Sequence, residues 1–154
     1  MNEKQLTILL ADDDTDDCLF FKDALEGMAI STEFTTVHNG EQLMELLNYE
    51  TNKLPHVLFL DLNMPRKNGF ECLAEIKQNK KLKGIPVVIF STSYEQEVVN
   101  LLYRNGAQYF IRKPSEFGQF KKIILYVLTI VAQQNMLRTT KSDFVLTAES
   151  NLVM

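Results

Sequence analysis

The feature that most constrains this chain is an alternation. Five short apolar runs, Thr7–Ala11, Phe34–Val37, Val57–Leu60, Val87–Phe90 and Tyr109–Arg112, are separated by longer segments of helical period. The runs are rich in Val, Ile, Leu and Phe, and most lack the in-and-out alternation of a half-exposed strand. Runs of this kind suit parallel strands covered on both faces. Between them, Cys18, Phe21, Leu25 and Met28 step by three and four, and Leu43, Leu46 and Leu47 do the same after the turn signal Asn39-Gly40. A third helix, with Leu73 and Ile76, opens at Asn68-Gly69. A fourth, with Val98, Leu101 and Leu102, ends at Asn105-Gly106, where a left-handed glycine cap is expected. Phe117, Phe120, Ile124, Val127 and Val131 mark a fifth.

Five β-α units predict a doubly wound α/β fold of the flavodoxin-like kind, a three-layer sandwich on a five-stranded parallel sheet of order 2-1-3-4-5. A length of 154 residues fits one such domain. In these folds ligands bind beyond the carboxyl ends of the strands, where strand order reverses. That point lies between the first and third strands, so the chemistry should follow Ala11 and Leu60.

Asp12-Asp13-Asp14 and then Asp16-Asp17 follow the first strand, and Asp61 follows the third. Carboxylates converging on one sheet edge repel, and need a cation or raised pKa values. Oxygen ligands without His or Cys point to Mg²⁺ rather than zinc. Asp12, Asp13 and Asp61 are read as the metal cluster. Asp14, Asp16 and Asp17 are read as the start of a helix, where acidic side chains meet the positive end of its dipole. A carboxylate ending the buried run Val57–Leu60 can act as a nucleophile toward phosphorus. Such a transfer needs charge neutralisation, which Lys113 at the end of the fifth strand can supply. Ser91, after the fourth strand, offers either a hydroxyl to a phosphoryl oxygen or an ordinary helix start among Ser91-Thr92-Ser93.

The segments ILLADDD, LFLDLNMPRKNG, IPVVIFSTS and YFIRKP, in that order and each at a strand end, resemble the receiver domain of bacterial two-component response regulators. The match spans about Thr7 to about Gln133. The resemblance implies that Asp61 is the phosphoacceptor, that Asp12 and Asp13 are the acidic pair, and that Asn63 gives a backbone carbonyl to Mg²⁺. It implies further that Ser91 is the switch hydroxyl and that Lys113 contacts the phosphoryl group. Phe110 is then the rotating aromatic, without the hydroxyl of the Tyr often found there. Lys113-Pro114 would be a cis peptide. The expected donor is a histidine kinase or a histidine phosphotransfer protein. Two other functions fit the sequence less well. A Mg²⁺-dependent phosphohydrolase commonly carries a second Asp two residues after its nucleophile, where this chain has Asn63. A non-phosphorylated pseudo-receiver would not need the intact Asp13, Asp61, Ser91 and Lys113 set.

The expected domain runs from 1 to 138, with a polar C-terminal tail at 139–154 whose apolar patch, Phe144-Val145-Leu146, should pack on the domain or on a neighbour. Fewer than about 25 residues follow the fifth helix, too few for an effector domain, so a stand-alone receiver signalling to a downstream protein is expected. The stripes Ile123, Tyr126, Ile130 and Val99, Tyr103 predict an apolar output face on the fourth helix, fifth strand and fifth helix, suited to partners including a homodimer, unless the tail covers it. A net charge of −4 recommends no nucleic acid, and the apolar run at 123–132 is about half a membrane span. No signal peptide is read at the start. Cys18 and Cys72 read as buried thiols in a reducing, cytoplasmic setting.

Overall fold

The computed structural model of the protein describes residues 5–49, 53–133, 138–150 and 152. Its elements are β1 (Leu6–Ala11), α1 (Thr15–Glu26), β2 (Thr32–Val37), α2 (Gly40–Asn48), β3 (Val57–Leu60), α3 (Gly69–Gln78), β4 (Val87–Ser91), α4 (Gln96–Arg104), β5 (Tyr109–Arg112), α5 (Phe117–Ala132) and β6 (Val145–Leu146). The strands form one parallel sheet in the order β2-β1-β3-β4-β5-β6. The flavodoxin-like topology expected from the sequence is therefore present. Helices α1 and α5 cover one face around Phe21, Phe59 and Phe90, and α2, α3 and α4 cover the other around Leu43, Leu60 and Ile89. Cys18 and Cys72 are both buried and both free.

Local chemistry starts three helices where the sequence suggested. The Asp14 carboxylate accepts from the amides of Asp16 and Asp17, and the Asn39 side chain accepts from Gln42. Asn68 and Glu71 form a reciprocal capping box. Gly106, at φ +94°, follows α4 as the expected left-handed residue. All these starts and stops lie outside the sheet.

The sheet has six strands where five were expected. The patch at 144–146 is too short to read as a strand from its own sequence. It becomes one because β5 would otherwise present an open edge of unpaired amides and carbonyls. Phe110 N–H donates to Phe144 O at 3.0 Å, and Ile111 registers with Leu146. Phe144 is 1% exposed on the α4 side, 5.1 Å from the Tyr103 ring, while Leu146 packs with the α5 cluster. Of the two apolar stripes, Ile123 and Val99 are buried, Tyr126 and Ile130 are partly buried, and Tyr103 packs against Phe144. The open output face expected there is in part covered by the chain's own C-terminal segment. Residues 134–137, just before the expected domain boundary, lie outside the described residues.

Phe144→Ala should lower stability by about 3–5 kcal/mol, the usual cost of emptying a buried phenylalanine site. It should also speed exchange of the Phe110 amide. Urea midpoints and amide exchange would check this, and an unchanged midpoint would show that β6 adds nothing to the fold.

Candidate functional site

Strand register builds the site. Ala11 pairs with Leu60, so the next residues along, Asp12 and Asp61, emerge side by side at the carboxyl edge. Backbone bonds fix both: Asp12 N–H donates to Val37 O at 3.0 Å, and Asp61 N–H donates to Ala11 O at 2.9 Å. Ser91 pairs with Arg112, and Lys113 N–H donates to Ser91 O at 2.9 Å, which delivers the lysine to the same edge. Carboxylate oxygens of Asp12, Asp13 and Asp61 lie within 4.8 Å of one another, as a divalent cation requires. Their chemistry, three hard oxygen donors with Asp13 exposed to solvent, fits a metal that keeps part of its water shell.

The loop after Asp61 is tightly held. Lys67 N–H donates to Pro65 O at 2.8 Å, closing a three-residue turn around Arg66, whose φ of 69° is unusual for a side-chain-bearing residue. Gly69 N–H donates to Leu62 O at 3.0 Å. A Cβ at Gly69 would overlap the Asp61 carbonyl and sit 2.8 Å from Leu62 Cα, so α3 can start against the backbone of Asp61 only with glycine there.

Charge is concentrated in little solvent. Asp12 is fully buried and Asp61 is 7% exposed. Burial pushes the Asp61 carboxyl up to about 7, aided by the charges of Asp12 and Asp13 and opposed by Lys113 and the Asn63 amide. Burial likewise raises Asp12, against the Asp14 amide and Lys113. Lys113 Nζ donates to Asp12 Oδ2 at 3.0 Å and to Asp17 Oδ2 at 2.6 Å, and lies 4.7 Å from the centre of the Phe90 ring. Burial alone would lower its pKa. The Asp17 hydrogen bond and the charges of Asp61 and Asp12 overcome that and hold it above the usual value.

Asp12, Asp13, Asp61, Ser91 and Lys113 therefore meet at one edge. Asn63 follows in the same loop, exposed. Ser91 is buried, its Oγ accepting from Ser93 N–H at 3.2 Å. Phe110 is buried 6.2 Å from the Tyr94 ring. One expectation is corrected: no cis peptide occurs among the described residues, so Lys113-Pro114 is trans. The trans form is the lower in energy for X-Pro bonds, and the bond from Lys113 N–H to Ser91 O already aims the lysine at the site. One residue was missed. Asp17 lies in the first turn of α1, as the sequence suggests, and it also pairs with Lys113. The signal was its spacing, since Phe20 and Phe21 lie three and four residues on, so Asp17 shares the buried stripe of α1 rather than its solvent face. Phe20 packs edge-on against Phe117 and Phe120, which brings this stripe to the β5–α5 end.

The raised Asp61 pKa gives the metal-free protein a pH signature. Between about pH 4 and 7 the folded chain keeps a proton that the unfolded chain has lost, so stability falls as pH rises through that window and is level above it. Asp61→Asn removes the penalty. The variant should exceed the parent at pH 8 by about 1–2 kcal/mol after solvent screening, and the gain should shrink toward pH 4. Urea midpoints in chelator test this, and an equal gain at both pH values would contradict it.

Known proteins resemble this chain in sequence and fold. The family model for the response regulator receiver domain matches residues 8–125. Response regulator Rcp1 of Synechocystis sp. is 34% identical over 121 residues, 76% of this chain and 82% of the relative. Two-component response regulator ARR17 of Arabidopsis thaliana is 30% identical over 135 residues, 82% and 87% of the two chains. The crystal structure of the phosphorylated cyanobacterial phytochrome response regulator RcpA superposes with a TM-score of 0.79 at 30% identity, over 88% of this chain and all of that one. The Mn²⁺-bound form of Rcp1 does so at 0.76 and 30%, covering 87% and 99%. The chain thus belongs to the response regulator receiver domains of two-component signalling.

Proposed function

We propose that this receiver accepts a phosphoryl group on Asp61 from a histidine kinase or a histidine phosphotransfer protein and signals through protein contacts. The observation that carries the reading is the buried Asp61 carboxylate within 4.8 Å of those of Asp12 and Asp13, with Lys113 bonded to Asp12 beside it. An Asp61 oxygen attacks phosphorus and forms the acyl phosphate O–P bond. The bond from phosphorus to the donor nitrogen breaks, and its electron pair leaves with the donor imidazole. Asp12, Asp13, Asp61 and the Asn63 carbonyl would hold Mg²⁺, which when bound neutralises charge on the transferring group. Ser91 Oγ would turn from Ser93 to donate to one phosphoryl oxygen, and Lys113 would meet another. Phe110 would respond from behind Ser91. The relatives named as response regulators support this reading, as does a solved relative that carries Mn²⁺.

On the same reading the chain is a signalling module of the cytoplasm rather than an enzyme acting on external substrates. No helix among the described residues is long and apolar enough to cross a membrane. The receiver would extend from 1 to 138, and the segment from 139 would serve as its sixth-strand extension. A homodimer through α4, β5 and α5 would have to include β6 in its surface or displace it.

With Mg²⁺ and acetyl phosphate, the parent should gain the mass of one phosphoryl group and Asp61→Asn should gain none. Equal labelling of the two would refute the assignment. Asp13→Ala should bind Mg²⁺ at least tenfold more weakly by titration, having lost one of three carboxylates. Equal affinity would remove the cluster as the metal site.

A further inference from the structure

The resting place of Lys113 is not where the proposed reaction needs it. Its ammonium makes two charged hydrogen bonds, to Asp12 at 3.0 Å and to Asp17 at 2.6 Å. No ion pair joins it to Asp61 among the described residues. The shorter bond goes to Asp17, which stands one helical turn beyond Asp13 and outside the three-carboxylate cluster. The environments of the partners differ: the Asp12 side chain is fully buried, whereas that of Asp17 is 32% exposed. Asp17 can therefore lose its partner and be rehydrated, while Asp12 cannot.

Asp17 is also firmly placed. Its amide donates to the Asp14 cap, and the packing of Phe20 on Phe117 and Phe120 holds this turn of α1 against the β5–α5 end. A carboxylate in the first turn of a helix is stabilised by the helix dipole when unpaired. The acceptor is thus comfortable both with and without the lysine, which suits a group that releases its partner.

We propose that Asp17 is a positioning residue that parks Lys113 on the α1 side of the site and yields it when a phosphoryl group arrives on Asp61. The proposal rests on the phosphoacceptor reading above. A phosphoryl group brings about −1.5 to −2 charges and three strong acceptor oxygens, enough to outbid one half-hydrated carboxylate. Lys113 then exchanges one hydrogen bond for another, and no covalent bond to it forms or breaks. Parking sets the fraction of molecules in which the lysine is free, and apparent affinity for a phosphoryl group falls with that fraction. Asp17 would then restrain adventitious labelling of the resting protein.

Asp17→Asn keeps the shape and one hydrogen-bond acceptor but removes the charge, and Asp17→Glu restores the charge. Two readouts separate parking from a structural role. In metal-free protein, the Lys113 ammonium protons should exchange slowly by nitrogen-detected NMR in the parent and in Asp17→Glu, and rapidly in Asp17→Asn. At saturating Mg²⁺, Asp17→Asn should take label from acetyl phosphate and bind fluoroberyllate on the order of three- to tenfold more readily than the parent, with Asp17→Glu returning toward the parent. Added salt should narrow the gap by screening the partly exposed pair. Equal labelling of parent and Asp17→Asn, slower labelling of Asp17→Asn, or unchanged ammonium exchange would each overturn the proposal. Failure of the parent and every variant to label would instead defeat the phosphoacceptor reading, and the hand-over with it.

Discussion

The rest of the structure depends on how buried charge is balanced at the mouth of the sheet. Asp12 and Asp61 sit beside each other with almost no access to water. Two carboxylates so placed cannot both stay ionised without a cation nearby, and burial pushes both toward the protonated form. Lys113 reduces the strain without removing it. The result is a site short of positive charge, ready to take a divalent cation and unfavourable when empty. A core designed only for stability would place apolar residues there.

The fold supplies this tension cheaply because all strands of a parallel sheet end on the same side. Residues far apart in sequence, from Asp12 to Lys113, need only occupy the position just past each strand to meet. The apolar strands lock the register, since a slip would break the backbone bonds from Asp61 to Ala11 and from Lys113 to Ser91. Gly69 and the turn at Arg66 then hold the Asp61 loop from behind. The backbone around the site is thus fixed by the sheet and the loop, independently of the charged side chains that meet there.

The other notable balance is at the far edge. A receiver sheet ending at β5 would expose both an open strand edge and two apolar helix stripes. The C-terminal segment answers both, pairing its backbone with β5 and inserting Phe144 beside Tyr103 and Leu146 beside the α5 cluster. The Phe110 amide donates to Phe144 O, which ties β5 to the start of the added strand.

By itself the sequence determined the five strands and helices, their α/β alternation, and the placement of Asp12, Asp13, Asp61 and Lys113 at strand ends, while Ser91 stayed open between a hydroxyl donor and a helix start. These follow from local signals: apolar runs, caps, turn glycines and charges at strand ends, which act through neighbours a few residues away. Tertiary structure alone decided three things. The patch at 144–146 became a strand because β5 offered it a partner, and two residues carry no strand signal of their own. Lys113-Pro114 is trans, the isomer of lower energy, since only a tight tertiary turn would impose cis. Asp17 took Lys113 because α1 packs on α5: its spacing to Phe20 and Phe21 places it on the buried stripe, but only the packed fold names a partner 96 positions away.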